Sequence, residues 1–176
     1  MQKFNAQQLR TLQVDSEAIK TIKKQSISII LDNVLDTYNI GSIFRLADAL
    51  AVEKVYLCGQ TETPPNSKIK KASVNTWQWV DWEYVPTAVE AIAKCRLSHA
   101  DCQIVAVEQD ERSVPFQKAH YQLPLTIIVG NESYGVSKEA LDMVDSIVEL
   151  PMFGINTSLN VMVSCGIVLY EAIQHT

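Results

Sequence analysis

Three polar, glycine-bearing segments carry the side chains of this sequence that are best suited to chemistry. The first runs from Asn33 to Arg45, the second is GNESYGVS (130–137), and the third is LPMFGINTSLN (150–160). Each segment follows a short apolar run that is typical of a buried β-strand. The carboxyl ends of parallel strands lie at one edge of a sheet, where ligands bind. We therefore expect the three segments to form one binding site.

The elements that would position these segments alternate between strands and helices. The runs that predict strands are SISIILDNV, KVYLCG, WQWVDWEYV, CQIVAVE, PLTIIVG and SIVEL. Helical spacing or a helix-opening residue marks IGSIFRLADALAV, PTAVEAIAKCRL, SKEALDMVD and SLNVMVSCGIVLYEAIQ. This alternation predicts an α/β fold with a mainly parallel sheet that helices cover on both faces.

The composition indicates an ordinary soluble protein. Its 176 residues are 47% hydrophobic and 20% charged, which suits one domain with a core. The sequence has neither a long apolar run nor the apolar core of a signal peptide, so we expect a cytoplasmic location. Cysteines and histidines are dispersed without metal-ligand spacing, which predicts reduced, mostly buried thiols and no metal site.

The net charge of −5 argues against a generic nucleic-acid binder, but the charge is unevenly distributed. Residues 1–24 carry five basic and two acidic side chains, and we expect them to form a short basic helical arm before a domain at 25–176. A second basic cluster lies at 68–71. The candidate RNA-binding residues are Lys20, Lys23, Lys24, Lys68, Lys70 and Lys71. The alternative is that both clusters are solvated surface.

The three segments resemble the motifs of a known enzyme family. N-x-G-x-x-x-R stands at 39–45, G-N-E-x-x-G at 130–135, and L-P-M-x-G-x-x-x-S-L-N-V at 150–161, with L-Y-E following at 169–171. Their order and spacing resemble the SpoU branch of the SPOUT superfamily of RNA ribose 2′-O-methyltransferases, over roughly residues 27–173. The third motif is the most specific of the three.

The resemblance implies both an activity and a topology. The activity is methyl transfer from S-adenosyl-L-methionine to a ribose 2′-OH of structured RNA, with tRNA favoured over rRNA. The topology adds a deep trefoil knot in the C-terminal part of the chain. Family members are homodimers with the active site near the interface, for which the last helix and the Phe44–Leu50 helix are the candidates here.

Arg45 is the residue that the resemblance places at the acceptor hydroxyl. Guanidinium groups keep their proton in proteins and are poor bases, so orienting the hydroxyl and stabilising the developing alkoxide is the more conservative role. The alternative is a structural ion pair with Asp48 or Asp36. Asn39 would hold Arg45 or the ribose, and Gly41 would permit a tight backbone before a helix N-terminus.

The remaining catalytic candidates come from the second and third motifs. Glu132 would brace the substrate-side loops, unless it is an ordinary exposed loop carboxylate. Ser158 would lie near the acceptor, or it would be the N-cap of the last helix, or both. Asn160 would lie near Arg45 and Asn39.

The cofactor is expected to lie against backbone groups and apolar walls. The alternative for Leu150 and Met152 is that they are ordinary core residues. The residues that the family resemblance implies as cofactor-binding are Val129, Gly130, Asn131, Leu150, Met152, Ser158, Leu159 and Asn160.

KASVNTWQW (71–79) resembles a weaker family patch, in which Asn75 and Thr76 here replace a Gly-Ala pair. Trp77, Trp79 and Trp82 would offer a base-stacking platform, although aromatic residues at alternate strand positions more often belong to a core.

Two other functions compete with methyl transfer. One is a catalytically silent SPOUT-fold protein that binds RNA or assists assembly of ribosomes or tRNA. Retention of all five catalytic candidates argues against it. The other is a nucleotide-dependent enzyme on an ordinary Rossmann sheet, which is disfavoured because no G-x-G-x-x-G follows the first strand.

Overall fold

A single parallel sheet organises the fold. The computed structural model describes Gln8, Ile19 and residues 21–175. Within that part of the chain, seven strands pair in the order β3-β2-β1-β6-β4-β7-β5, and every pairing is parallel. The strands are β1 (Gln25–Asp32), β2 (Val52–Cys58), β3 (Trp82–Val85), β4 (Gln103–Val107), β5 (Val114–Pro115), β6 (Leu125–Gly130) and β7 (Ser146–Glu149).

Helices cover both faces of the sheet, which confirms the predicted α/β class. They are α1 (Thr37–Ala49), α2 (Ser67–Ser73), α3 (Ala88–Ser98), α4 (Lys138–Leu141) and α5 (Val161–Gln174), with 3₁₀ turns at Thr76–Gln78 and Phe116–Lys118. Successive strand residues point to opposite faces. Ile29 and Ile127 therefore join the core under α1 and α5, whereas Ile30 and Ile128 join the core under α3.

Helix α1 is positioned by its cap and by one glycine. The Asp36 side chain caps it by accepting a hydrogen bond from the Tyr38 amide (2.7 Å). Gly41 lies inside the helix and not in the tight turn that we expected. A Cβ at Gly41 would lie 2.9 Å from the Ile69 carbonyl oxygen and 2.9 Å from the Ser73 nitrogen. The glycine therefore lets α1 and α2 pack backbone to backbone.

Three local predictions were wrong. The third strand spans only Trp82–Val85, because 76–78 forms a 3₁₀ turn and Trp79 packs into the core. The last helix begins at Val161, and its N-cap is Asn160 and not Ser158. Strand β5 was missed because two residues, one of them proline, carry no periodic signal.

The outer side of α5 is apolar and exposed. Its buried side consists of Cys165, Val168, Leu169 and Ala172. The opposite side, together with the residue before the N-cap, forms an apolar stripe with side chains 36 to 52% exposed. The residues of this apolar stripe are Leu159, Val163, Ile167 and Tyr170.

One prediction concerns the N-terminal part of the chain. The arm predicted at 1–24 lies outside the described residues, apart from Gln8, Ile19 and 21–24. Among the described helices, none is long and apolar enough to cross a membrane.

The four cysteines are free and buried, as predicted. Burial raises the pKa of the Cys165 thiol to about 12, so this thiol behaves as a core side chain.

Replacing Gly41 by alanine should destabilise the fold by about 1–3 kcal/mol, because the new methyl group forces α1 and α2 apart. Urea unfolding of the wild type and the variant at pH 7 measures the difference. Gly154→Ala is the matched control, since a Cβ there meets nothing within 4 Å. Equal losses of stability in the two variants would contradict the close-packing role of Gly41.

Candidate active site

A cavity of about 550 Å³ opens at the carboxyl edge of the sheet, between the segments that follow β4, β6 and β7. Its volume falls within the range of small-molecule sites. All eight candidate cofactor-binding residues line it, from Val129 at the end of β6 to Asn160 at the start of α5. Leu150 and Met152 are half-buried and line the cavity, and Leu150 also packs against the core.

The turn after β6 is held rigidly by its own side chain. The Asn131 and Gly135 backbones exchange two hydrogen bonds (2.9 and 3.0 Å). Asn131 Oδ1 accepts from the amides of Ser133 (2.8 Å) and Tyr134 (3.1 Å), and Asn131 Nδ2 donates to the Asn33 carbonyl oxygen (2.8 Å). This arrangement, here called the Asn131 turn (residues 131–135), fixes the second segment against the first.

Glu108 closes the other side of the Asn131 turn. Its Oε2 accepts from the Val136 amide (2.8 Å), and its Oε1 accepts from the Gln109 amide (2.9 Å). The carboxylate occupies the position that a Cβ at Gly135 would take, and Gly135 also has a φ of 70°. A side chain at Gly135 would thus be both strained and blocked.

The loop after β7 forms the outer wall of the cavity. Gln109 Nε2 donates to the Thr157 carbonyl oxygen (2.6 Å), and Asn156 Oδ1 accepts from the Ser158 amide (3.1 Å). The Ser158 side chain is exposed and lines the cavity, so its hydroxyl is free of the N-cap role that we considered.

A chain of side-chain hydrogen bonds joins the three motifs. Glu132 accepts from the Leu35 amide (3.0 Å), the Asp36 amide (3.1 Å) and Asn39 Nδ2 (3.0 Å). Asn160 Nδ2 in turn donates to Asn39 Oδ1 (3.0 Å). Both ends of the buried Asn39 amide are therefore engaged within this chain, so Asn39 holds Glu132 and Asn160 and does not hold Arg45.

These contacts keep Glu132 ionised. Burial by itself would raise the pKa of Glu132, but hydrogen bonds from the Leu35 amide, the Asn39 side chain and the Asp36 amide outweigh it and lower the pKa. Glu132 thus acts as an anionic brace for the loop before α1.

The cavity is acidic. Its charged lining residues are Glu108, Glu132 and Glu149, and within the described chain no lysine or arginine lines it. Such a lining favours a ligand that carries positive charge. In the described residues no group of three or more His, Cys, Asp or Glu is arranged to hold a metal ion.

Arg45 lies apart from this cavity. It is exposed on α1, one turn after Gly41, and therefore on the side of the helix that packs against α2. No ion pair or hydrogen bond joins Arg45 to another described residue. Asp48 accepts from Trp79 Nε1 (2.6 Å) and Asp36 caps α1, so neither takes the pairing role that we considered.

The predicted RNA-binding lysines lie in different settings. Lys68, Lys70 and Lys71 are exposed on α2, beside the Arg45 face of α1, and Lys23 is exposed before β1. Lys24 is half-buried, and its Nζ donates to the Val52 carbonyl oxygen (3.3 Å). Lys20 lies outside the described residues. Of the tryptophans, Trp79 is a core residue, while Trp77 and Trp82 are half-buried against the core.

Sequence reasoning missed Glu108, Gln109 and Tyr134, which all line the cavity. Glu108 is the last residue of the predicted run CQIVAVE and directly follows β4, so applying the rule for strand carboxyl ends to β4 would have found it.

Replacing Glu132 by glutamine should destabilise the chain at pH 7 by about 0.5–1 kcal/mol, because neutral hydrogen bonds replace charge-assisted ones at a carboxylate that is exposed and screened by water. The pKa of Glu132 is lowered in the folded state, so its contribution is fully present above the unfolded value of about 4.3 and is lost as the pH falls through the folded value. The difference between wild type and variant in urea unfolding should therefore shrink below about pH 4. Glu139→Gln, at an exposed carboxylate on α4, is the control; a gap for Glu132→Gln that is constant with pH would contradict this role.

Comparison with known proteins assigns the chain to a family. A model of the SpoU rRNA methylase family matches residues 26–170. The chain is 33% identical over 156 residues to the tRNA (guanosine(18)-2′-O)-methyltransferase of Aquifex aeolicus, covering 85% of this chain and 70% of that protein. It is 29% identical over 153 residues to the enzyme of the same name from Escherichia coli K12, covering 85% of this chain and 64% of that protein.

Solved structures agree with the sequence comparison. The A. aeolicus TrmH/SpoU tRNA modifying enzyme superposes with a TM-score of 0.78 at 31% identity, covering 97% of this chain and 81% of that one. An AdoMet-bound rRNA methyltransferase from Sinorhizobium meliloti superposes with a TM-score of 0.78 at 27% identity, covering 89% of this chain and 60% of that one. Its second and third motifs line one cavity and its first motif is joined to them through Asn39. This chain belongs to the SpoU rRNA methylase family.

Proposed function

We propose that this chain transfers a methyl group from S-adenosyl-L-methionine to a ribose 2′-OH of tRNA. The observation that carries the proposal is the acidic cavity whose rim is joined to the Glu132–Asn39–Asn160 hydrogen-bond chain. The two relatives named above are tRNA 2′-O-methyltransferases, which favours tRNA over rRNA as the substrate.

The cavity suits this cofactor in shape and in charge. When bound, S-adenosyl-L-methionine supplies a methyl group on a sulfonium, which is already activated for transfer. Val129, Leu150, Met152 and Leu159 supply the apolar wall, and the backbone at Gly130 allows close approach. Among the described residues, three carboxylates line the cavity and no lysine or arginine does, which suits a cation.

The acceptor hydroxyl is oriented by the rim of the cavity. Glu132 fixes the backbone of Leu35 and Asp36, while Asn39 and Asn160 fix α1 against the start of α5. The Ser158 hydroxyl lies free at the cavity wall and is available to the ribose. These residues hold the hydroxyl in line for attack, which is the larger part of the task for a poor nucleophile.

Arg45 acts from a second copy of the chain. It does not line the cavity of its own chain, and the exposed apolar stripe on α5 provides a surface through which two copies can associate. Helix α1 packs against α5, so a partner held at the stripe is close to both helices. In this homodimer, Arg45 of one copy orients the hydroxyl above the cavity of the other and stabilises the developing alkoxide.

RNA contacts the basic side of the molecule. Arg45 and the three lysines of α2 are exposed on adjacent helices, and Lys23 is exposed near the start of the domain. Residues 25–176 form the methyltransferase domain, and residues 1–24 with Lys20 add a basic arm.

We also propose that the C-terminal part of the chain is knotted. Val107 of β4 and Val114 of β5 both pair with Val148 of β7, so residues 108–113 arch across the carboxyl end of β7. The chain that leaves β7 contacts this arch through the bond between Gln109 and the Thr157 carbonyl. Passage of 150–160 beneath the arch gives the trefoil topology and fixes the cavity wall.

The wild-type protein should transfer labelled methyl to bulk tRNA from a strain lacking it, giving a 2′-O-methylated nucleoside on digestion. Arg45→Ala should lower kcat by about 10²–10³, the usual cost of removing one group that stabilises developing charge. Binding of S-adenosylhomocysteine should be unchanged in this variant, because Arg45 does not line the cavity. Retained RNA binding without methylation by either protein would instead support the silent assembly function.

Mixing two variants that each impair one part of the site, Arg45→Ala at the arginine and Glu132→Gln at the brace of the acceptor side, tests whether two copies share the site. Arg45→Ala keeps an intact cavity, and Glu132→Gln keeps an intact Arg45, so a mixed dimer has one complete site if the two copies share it. Activity should therefore rise on mixing after subunit exchange. Ile167→Glu should give monomers in sedimentation and no activity, while Leu97→Glu, 86% exposed on α3, should stay dimeric. No recovery on mixing would contradict the shared site.

A further inference from the structure

We propose that Tyr134 is a stacking platform for the base of the nucleotide whose ribose is methylated. This inference rests on the proposed function. It assigns a positioning role to a residue outside the hydrogen-bond chain of the acceptor side.

Tyr134 is both at the cavity and open to solvent. It lines the cavity rim, yet 91% of its surface is exposed. No described residue forms a hydrogen bond with its phenol or packs against its ring. A large aromatic side chain with so little contact contributes nothing to the core, and its ring is free to meet a ligand at the cavity rim.

The backbone under Tyr134 is fixed. The Tyr134 amide donates to Asn131 Oδ1 (3.1 Å), and the two-way backbone pairing of Asn131 with Gly135 closes the turn around it. On the other side, the Val136 amide is held by Glu108 (2.8 Å). Because these bonds fix the backbone of the Asn131 turn, a planar ligand that stacks on the ring needs to order the side chain but not the turn.

Tyr134 lies in the same turn as Glu132, which braces the side of the cavity where the acceptor ribose is proposed to bind. Glu132, two residues earlier in the same turn, binds the loop before α1 and connects to Asn39. The Asn131 turn thus has a carboxylate on its acceptor side and an aromatic ring at its exposed tip. A ribose that is oriented by the Glu132 network carries its base within reach of that tip.

The reaction creates a need for such a ring. A ribose in a stacked RNA segment must leave the stack to enter a cavity, which costs the stacking energy of its base. An aromatic side chain recovers part of this energy. It does so for any base, because every base has a π-face. Tyr134 thus favours an unstacked nucleotide of suitable shape and does not select one base.

The charge of the cavity lining favours a nucleotide base over a phosphate beside Tyr134. The Tyr134 rim belongs to a cavity whose charged residues are all carboxylates, and the exposed basic residues lie on α1 and α2. Carboxylates disfavour a phosphate there, whereas an uncharged base tolerates them.

The test uses the full chain with Tyr134→Ala, Tyr134→Phe and the control Leu97→Ala, which removes another exposed apolar side chain far from the cavity. The probe is bulk tRNA from a strain lacking the protein, with KM and kcat for tRNA measured separately and S-adenosylhomocysteine affinity measured by calorimetry. Tyr134→Ala should lower kcat/KM for tRNA about tenfold, mainly through KM, which is the size of one lost base–aromatic stack. Tyr134→Phe and Leu97→Ala should match the wild type, and all four proteins should bind S-adenosylhomocysteine equally.

Different failures have different meanings. An active wild type with an equally active Tyr134→Ala variant overturns the inference alone. Loss of S-adenosylhomocysteine binding or of the dimer in Tyr134→Ala also overturns it, because the residue would then be structural. A wild type that methylates no tRNA overturns the proposed function and this inference with it.

Discussion

The hydrogen-bond chain from Glu132 through Asn39 to Asn160 is the interaction on which the rest of the site depends. Asn39 lies 93 positions before Glu132 and 121 positions before Asn160 in the sequence. The three residues belong to three different segments at the carboxyl edge of the sheet. The strands bring these segments to one edge, but only side-chain bonds fix their mutual spacing. Because the Asn39 amide is buried and bonded at both ends, loss of either partner leaves an unsatisfied polar group.

The fold class followed from the sequence because doubly covered parallel strands appear as continuous apolar runs between amphipathic helices. The predictions that were wrong concerned local structure, and tertiary contacts explain why. Trp77 and Trp79 match the alternation of a strand, but burial of Trp79 and its bond to Asp48 favour a 3₁₀ turn there. Asn160 displaced Ser158 as the cap of α5, because its side chain reaches both the Met162 and Val163 amides (3.0 and 3.3 Å) while also bonding Asn39.

The site was predictable to the extent that its residues follow strands. The eight cofactor candidates came from the family resemblance, and the structure places them at the carboxyl ends of β6 and β7 and in the segments that follow. Glu108 follows β4 and the same rule would have found it, but neither its bond to the Val136 amide nor the separation of Arg45 from the cavity could be obtained in this way. Glu108 accepts a hydrogen bond from an amide 28 positions later in the sequence. The direction in which the Arg45 side chain points depends on the close packing of α1 against α2 at Gly41. Motif spacing fixes the helix that carries Arg45, but only packing decides which way its side chain faces.

The distribution of charge explains how an acidic chain is suited to RNA. The carboxylates lie in the cavity, where they favour a cation, and the exposed lysines of α2 lie beside Arg45 on another face. The two potentials act on different parts of one substrate: phosphates are attracted to the helices and disfavoured at the cavity. Only the uncharged part of a nucleotide, its ribose and base, meets no repulsion at the rim. With few basic groups available for phosphate contacts, this separation of charge and the shape of the rim must provide much of the discrimination between a reactive ribose and the remainder of the RNA.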